Sequence, residues 1–197
     1  MIARLLATSI FLLAASPAAF AYNALKNGTF NGPPSSGTSG WNLSAQGAQW
    51  ESYLGATAGG SLHLDADAAG SPMNAHADQC VDVHQWFALD VVLAAFNNAE
   101  GGGGTHTFKL DVYDGFDCIG NIVQTITTID SGETVMGVNN STWKIYSKTG
   151  TQLLGSALSA KMNLDTNAPP GGISYYLIDD VQVIPPDEIF PDTFGDN

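Results

Sequence analysis

The sequence predicts an all-β protein, a β-sandwich of about ten strands in two packed sheets. Helical periodicity is nearly absent from the 197 residues. Short stretches alternate apolar and polar residues with a period of two, and clusters of Gly, Asn, Pro and Ser separate them.

The elements follow in chain order. Strands are expected near 22–30 and 48–54, and "SLHLDAD" then sets Leu62, Leu64 and Ala66 against His63, Asp65 and Asp67. A strand near 77–84 follows, and "QWFALDVVLAAF" sets Phe87, Leu89, Val91 and Leu93 against Trp86, Ala88 and Asp90. "HTFKLDVYDG" sets Phe108, Leu110 and Val112 against Lys109, Asp111 and Tyr113, and further strands are expected near 120–129, 142–148, 156–165 and 173–184. The stretches "NGPPSSGTSG" (31–40), "EGGGG" (100–104) and "NAPPGG" (167–172) are connections, because proline lacks the ladder donor and glycine runs have little to pack. In the last strand, "ISYYLIDDVQV", strict alternation places Ile173, Tyr175, Leu177, Asp179, Val181 and Val183 on one face. A carboxylate on that otherwise apolar face needs a partner.

Residues 1–21 read as a secretory signal peptide: Arg4 supplies the charge, "LLATSIFLLAA" the apolar run, and Ala19 and Ala21 an Ala-x-Ala cleavage site. The run is too short to span a bilayer. Residues 22–184 then form one domain, and 185–197 form an acidic tail containing three prolines. The expected location is secreted or periplasmic, without membrane insertion, and the expected state is monomeric. Cleavage leaves five lysines and all 19 acids, a formal charge of −14. Phosphate backbones and anionic lipid would repel such a surface, which excludes nucleic acid and favours neutral or cationic ligands or divalent metals. Cys80 and Cys118 are the only cysteines, and in an oxidising compartment they are expected to form a disulfide.

An ordered series of short motifs spans the chain: "NALKNGTFN" at the start, "GW" at 40–41, Trp143, "AP" before the last strand and "YYLIDDVQV" at the end. The series resembles the jelly-roll carbohydrate-binding modules of the galactose-binding-like superfamily. In those modules an opening strand N-G-x-F-E and a closing strand Y-x-D-D-V lie side by side. "QCVDV" with "DCIG" further resembles a group of exported bacterial proteins of this type, in which paired cysteines sit at these places. The resemblance implies a two-sheet jelly roll, binding of a glycan or polysaccharide, and a structural calcium between the opening and closing strands. Asp179 matches the closing acid of that calcium site, whereas Asn31 stands where the opening Glu would be. The competing reading of Asp179 is a carboxylate held by loop N–H groups.

Sugars pack their C–H faces on aromatic rings, with polar side chains nearby for the hydroxyls. Outward aromatics on polar strand faces are therefore the candidate ligand residues: Tyr113 with Lys109 and Asp111, Trp86 beside Asp90, Tyr146 between Lys144 and Lys148, and Tyr176 beside Asp180 and Gln182. Trp41 and Trp143 read as structural. His76 and His84 share a strand face with Asp78 and Asp82, the pattern of a solvated run rather than a zinc site. Catalysis lacks a signature: there is no G-x-S-x-G, and Glu51, Glu100, Glu133 and Glu188 are too scattered for a glycosidase pair. The expectation is a non-catalytic module binding a neutral glycan. The alternative is a protein-binding or surface-structural module on the same fold.

Overall fold

The computed structural model describes residues 23–34, 40–44, 46–56, 59–67, 74–97, 105–129, 143–168 and 172–185. The expected signal peptide and most of the acidic tail lie outside the described residues. Among the described residues ten strands form: β1 (Asn42–Leu43), β2 (Ala48–Glu51), β3 (Ser61–Asp67), β4 (Asn74–Asp82), β5 (Ala88–Asn97), β6 (Thr105–Tyr113), β7 (Ile122–Ile129), β8 (Lys144–Gln152), β9 (Ser159–Asn167) and β10 (Ile173–Ile184). They build two five-stranded sheets, sheet A in the order β1-β4-β9-β6-β7 and sheet B in the order β2-β3-β10-β5-β8. The pairs β3·β10, β4·β9, β5·β8 and β6·β7 are nested and antiparallel, the pairing of a jelly roll. Among the described residues no helix is long and apolar enough to cross a membrane.

The core lies between the sheets and follows the alternation read from the sequence, except at Phe87, which precedes β5 and is exposed. Leu62, Leu64 and Ala66 of β3, Val91 and Leu93 of β5, Phe108, Leu110 and Val112 of β6, and Met162 and Leu164 of β9 are all buried. Trp41 is buried against Phe30, their ring centroids 5.4 Å apart, as expected of a structural tryptophan.

Two segments depart from the sequence reading. The stretch near 22–30, expected as a strand, is instead an irregular strap, with the left-handed residues Asn27 and Phe30 (φ 50 and 42) breaking its pleat. It still bonds to β10, where Ala24 N donates to Val183 O (2.9 Å) and Val181 N donates to Gly28 O (2.8 Å). The buried amide of Gln79 on β4 grips both backbone groups of Lys26, at 2.6 and 3.0 Å, so the strap joins the sheets along one side.

The second departure is a β-bulge in β10. The pairing with β5 shifts register between Asp179 and Gln182, and Asp180 adopts φ 49. Strict alternation therefore fails. Tyr176 and Ile178 face the core before the bulge, and Val181 and Val183 face it afterwards, while Asp179 points to the other side of the sheet.

Cys80 and Cys118 are joined, with Cα atoms 6.0 Å apart. Cys80 faces outward on β4, and Cys118 ends a short 3-10 turn (Phe116–Cys118) in the β6–β7 connection. Ser159 fastens the same loop, accepting from Cys118 N (2.9 Å) and donating to Gly115 O (2.5 Å). Opening the disulfide should destabilise the fold by roughly 3–4 kcal/mol on the chain-entropy model. The Cys80→Ser/Cys118→Ser double variant is expected to melt correspondingly lower, and alkylation of the unreduced native protein to label no thiol. Two labelled thiols in the native protein would contradict the pairing.

Candidate functional site: the outer face of sheet A

The register of sheet A assembles a polar surface from residues far apart in sequence. Alternation in β4, β9 and β6 sends Ala75, Ala77 and Val81, then Ala160, Met162 and Leu164, then Phe108, Leu110 and Val112 inward. The opposite phase sends His76, Asp78 and Cys80, then Lys161, Asn163 and Asp165, then Thr107, Lys109, Asp111 and Tyr113 outward. Pairing aligns these in rows. Asn42, Asp78, Asn163, Lys109 and Thr127 make one row across all five strands. Cys80, Lys161, Asp111 and Thr125 make the next, and His76, Asp165 and Thr107 flank the first on its other side.

Each charge in these rows meets an opposite charge. Asp111 is only 4% exposed and would be costly unpaired. Its Oδ2 takes the Lys109 ammonium at 2.9 Å and a bond from Asn163 Nδ2 at 2.9 Å, and its Oδ1 accepts from Thr125 Oγ1 at 2.7 Å. This partnership raises the Lys109 pKa above its ordinary value. The Asp78 Oδ1 lies 2.8 Å from His76 Nε2, while its Oδ2 accepts from Asn42 at 3.1 Å and faces Lys161 Nζ at 3.9 Å. Burial pushes the Asp78 carboxyl up, but the bonds from His76 and Asn42 and the Lys161 charge outweigh it and hold the pKa below the ordinary value. The remaining nitrogen of His76 lies 2.6 Å from Asp165 Oδ1. Three cations, His76, Lys109 and Lys161, thus face three carboxylates, Asp78, Asp111 and Asp165.

At one end of this face Tyr113 pairs with Ser159, and Ser159 with Asp82. The disulfide-tethered loop lies over Ser159 and leaves a cleft of ≈ 160 Å³ lined by Cys80, Val81, Asp82, Phe116, Asp117 and Ser159. Phe116 is 55% exposed there, with the His84 ring edge-on to it at 5.8 Å.

The structure brings Lys109, Asp111 and Tyr113 together on this face and separates the other aromatics expected to point outward. Trp86 sits in the turn between β4 and β5, half-buried against the core. Tyr146 faces the core, with Lys144 Nζ 4.6 Å from its ring centroid, while its neighbour Ile145 is the exposed one. Tyr176 is 2% exposed and hydrogen-bonded to His106 Nε2 at 3.1 Å inside the sandwich. The phase change at the bulge is the reason, because Tyr176 shares its face with the core residues Val181 and Val183 rather than with Gln182. Sequence reasoning missed His76, Asp78, Lys161, Asn163 and Asp165 as parts of one surface. The available signal was polar alternation in "NAHAD" and "AKMNLDT", which shows that these side chains face outward but not that they meet.

A second polar centre lies under the loop between β2 and β3. Asp179 is fully buried, its Oδ2 accepting from Ala56 N at 2.7 Å and its Oδ1 from Asp180 N at 2.8 Å. Other oxygens gather around it. A Cβ added at Gly55 would stand 2.9 Å from Gly60 O, 3.2 Å from Gly59 O and 3.2 Å from Asp179 Oδ2, and one added at Gly59 would collide with Asn31 Oδ1. The buried Oγ of Ser61, beside Gly60, has no hydrogen-bond partner. Among the described residues no group of three or more His, Cys, Asp or Glu side chains is arranged so that it could hold a metal ion, and an ion here would rest on Asp179 and neutral oxygens. One carboxylate with amide, hydroxyl and peptide oxygens is the donor chemistry of a hard cation such as calcium, while both Asp179 oxygens already accept from backbone N–H groups, the arrangement of a carboxylate held by the loop.

No protein-family model matches the chain, and no curated protein matches it in sequence. Solved structures match in fold. The module TmCBM61, solved with β-1,4-galactotriose, aligns with 14% identity and TM-score 0.52 over 83% of this chain and 99% of its own. The enzymatically active domain of tailspike protein 4 from bacteriophage CBA120 aligns with 18% identity and TM-score 0.56 over 83% of this chain. A structure described as carbohydrate-binding modules of the β-sandwich superfamily aligns with 9% identity and TM-score 0.51 over 84% of this chain and 62% of its own. This chain spans about a fifth, 21%, of that tailspike domain's solved chain. At these identities the likeness is one of fold: the chain has the two-sheet jelly-roll β-sandwich that carbohydrate-binding modules use.

Proposed function

We propose that the protein is an exported, monomeric, non-catalytic module that binds a neutral glycan on the outer face of sheet A. The observation that carries this reading is the paired charge of the rows at the centre of that face. On residues 22–197, of formal charge −14, these rows set three cations against three carboxylates, with Asp82 a further carboxylate on the same side of β4 at the cleft end. An anion would meet no surplus of cations there, whereas hydroxyl groups could exchange hydrogen bonds with both kinds of group. Lys109 and Lys161, each about a third exposed, offer donors, Thr107, Thr125 and Thr127 offer hydroxyls, and Tyr113 and Phe116 offer ring surface at one border. The ligands named for the similar sandwich modules, and the disulfide suited to an oxidising compartment, support the same reading. Asp78, held low rather than raised, lacks the property of a general acid.

The test is a neutral-glycan array probed with residues 22–197. Tyr113→Ala should weaken binding to the captured glycan by on the order of 1–3 kcal/mol, the scale of one aromatic contact. Ile145→Ala, on the edge of sheet B, should leave affinity unchanged. Equal affinity in the wild type and in Tyr113→Ala, or capture of anionic glycans alone, would contradict the assignment.

Calcium at Asp179 belongs to the same proposal as a structural ion, held by Asp179, Asn31 and the surrounding loop oxygens. An ion that binds only the folded chain stabilises it by mass action, about 2.7 kcal/mol at 100 times its dissociation constant. Added calcium should therefore raise the melting temperature, a chelator should remove the increment, and Asp179→Ala should abolish the response. A melting curve of the wild type indifferent to both calcium and chelator would leave Asp179 as a carboxylate held by the protein without an ion.

A further inference from the structure

One residue of the sheet A face makes both of its contacts to carboxylates. His76 of β4 places Nδ1 2.6 Å from Asp165 Oδ1 on β9 and Nε2 2.8 Å from Asp78 Oδ1 on its own strand. An ionised carboxylate only accepts, so both ring nitrogens must donate, and the ring is an imidazolium. The groups around it come from every neighbouring strand. Asn42 of β1 and Lys161 of β9 bear on Asp78, and Lys109 of β6 pairs with Asp111. With both N–H groups engaged, His76 has no donor left for a ligand. Asp165 differs: its Oδ1 is fixed by the ring, its Oδ2 takes part in none of these bonds, and its side chain is 35% exposed.

We infer that His76 is the positioning residue of this face: its doubly bonded ring ties β4 to β9 and fixes Asp165 so that Oδ2 is presented to the hydroxyls of a neutral glycan, and loss of the ring proton releases it. The inference rests on the assignment of this face as the glycan site. Deprotonation has two consequences. A neutral imidazole can donate to only one of its two carboxylates, so the other is turned against a lone pair. The central rows of the face also lose one of their three cations, leaving three carboxylates against two.

The pH at which this happens follows from the geometry. The bond to Asp165 first, then the bond to Asp78, raise the His76 pKa from 6.5 to about 9 against the opposing effect of burial. A folded-state value above the unfolded one means that the stabilisation is complete below the unfolded value and disappears as pH rises through the folded one. The positioning effect should therefore be constant through neutrality and fade near pH 9.

Two measurements test it, using residues 22–197 and the variant His76→Asn, with circular dichroism to establish that the variant folds. In the first, nitrogen-edited NMR follows the unliganded protein from pH 6 to 10.5. His76 should titrate near 9, and the Asp165 carboxyl carbon should shift in step, a movement absent from His76→Asn. In the second, mobility is measured in gels containing soluble β-1,4-galactan, a neutral polymer of the sugar bound by TmCBM61. Retardation of the wild type should weaken about tenfold between pH 7 and pH 10, the worth of one charge-assisted contact, while His76→Asn should be weak at both. Wild-type retardation equal at the two pH values would overturn the inference and leave the glycan assignment standing. If the galactan retards neither protein, the choice of glycan is at fault and the NMR titration decides alone. A His76 pKa near 6.5, or an Asp165 signal indifferent to it, overturns the inference in either case.

Discussion

One extra residue in β10 sets the side-chain phase on which the sandwich depends. β10 is the central strand of sheet B, paired with β3 and β5, so its alternation decides which residues close the core. An uninterrupted strand that buried Tyr176 and Ile178 would turn Val181 and Val183 to the outside. Burying a valine fully is worth roughly 1.5–3 kcal/mol, so the alternative would forfeit several kcal/mol. The bulge avoids this by absorbing one residue at Asp180, in a left-handed conformation that Asp tolerates better than most residues. It also places Asp179, the residue before it, on the far side of the sheet beneath the β2–β3 loop, where Ala56 N and Asp180 N hold it. The N-terminal strap then finds the backbone of Val181 and Val183 to bond, and Asn23 adds its amide to both.

Sheet A answers a different constraint. Its outer face is polar, yet Asp111, Asp78 and Asn163 on it are nearly buried by their own neighbours. A carboxylate so placed costs several kcal/mol unless it is paired and hydrogen-bonded. Cross-strand neighbours supply the partners: Lys109, Asn163 and Thr125 for Asp111, and His76, Asn42 and Lys161 for Asp78. Such a network fixes side chains before any ligand arrives, which lowers the ordering cost of binding. The tethered β6–β7 loop adds the Phe116 ring at one border, so the disulfide contributes to the shape of the face as well as to stability.

The sequence made the strands and the disulfide readable because both follow from local pattern: period-two alternation marks β3, β5 and β6, and a chain with two cysteines offers one pairing. Lys109, Asp111 and Tyr113 were readable as one outward set for the same reason, since they alternate within a single strand. What local pattern cannot carry is register between distant strands. His76 and Asp165 are 89 positions apart, and only the β4–β9 pairing makes them neighbours. The phase of β10 was misread because a bulge leaves little trace in the sequence beyond an Asp in an otherwise apolar strand. Tyr176 was accordingly expected outside and lies inside.

The central claim is that the charge-paired polar rows on the outer face of sheet A are where a neutral glycan binds. The most direct measurement is the pattern of NMR shift changes when a neutral oligosaccharide captured on the array is titrated into the labelled protein. The account predicts saturable shifts confined to Lys109, Asp111, Tyr113, Lys161, Asn163 and Asp165 and their strand neighbours, with the sheet B face silent. Shifts concentrated on sheet B, at Tyr175 or Trp143, with sheet A unmoved would contradict it.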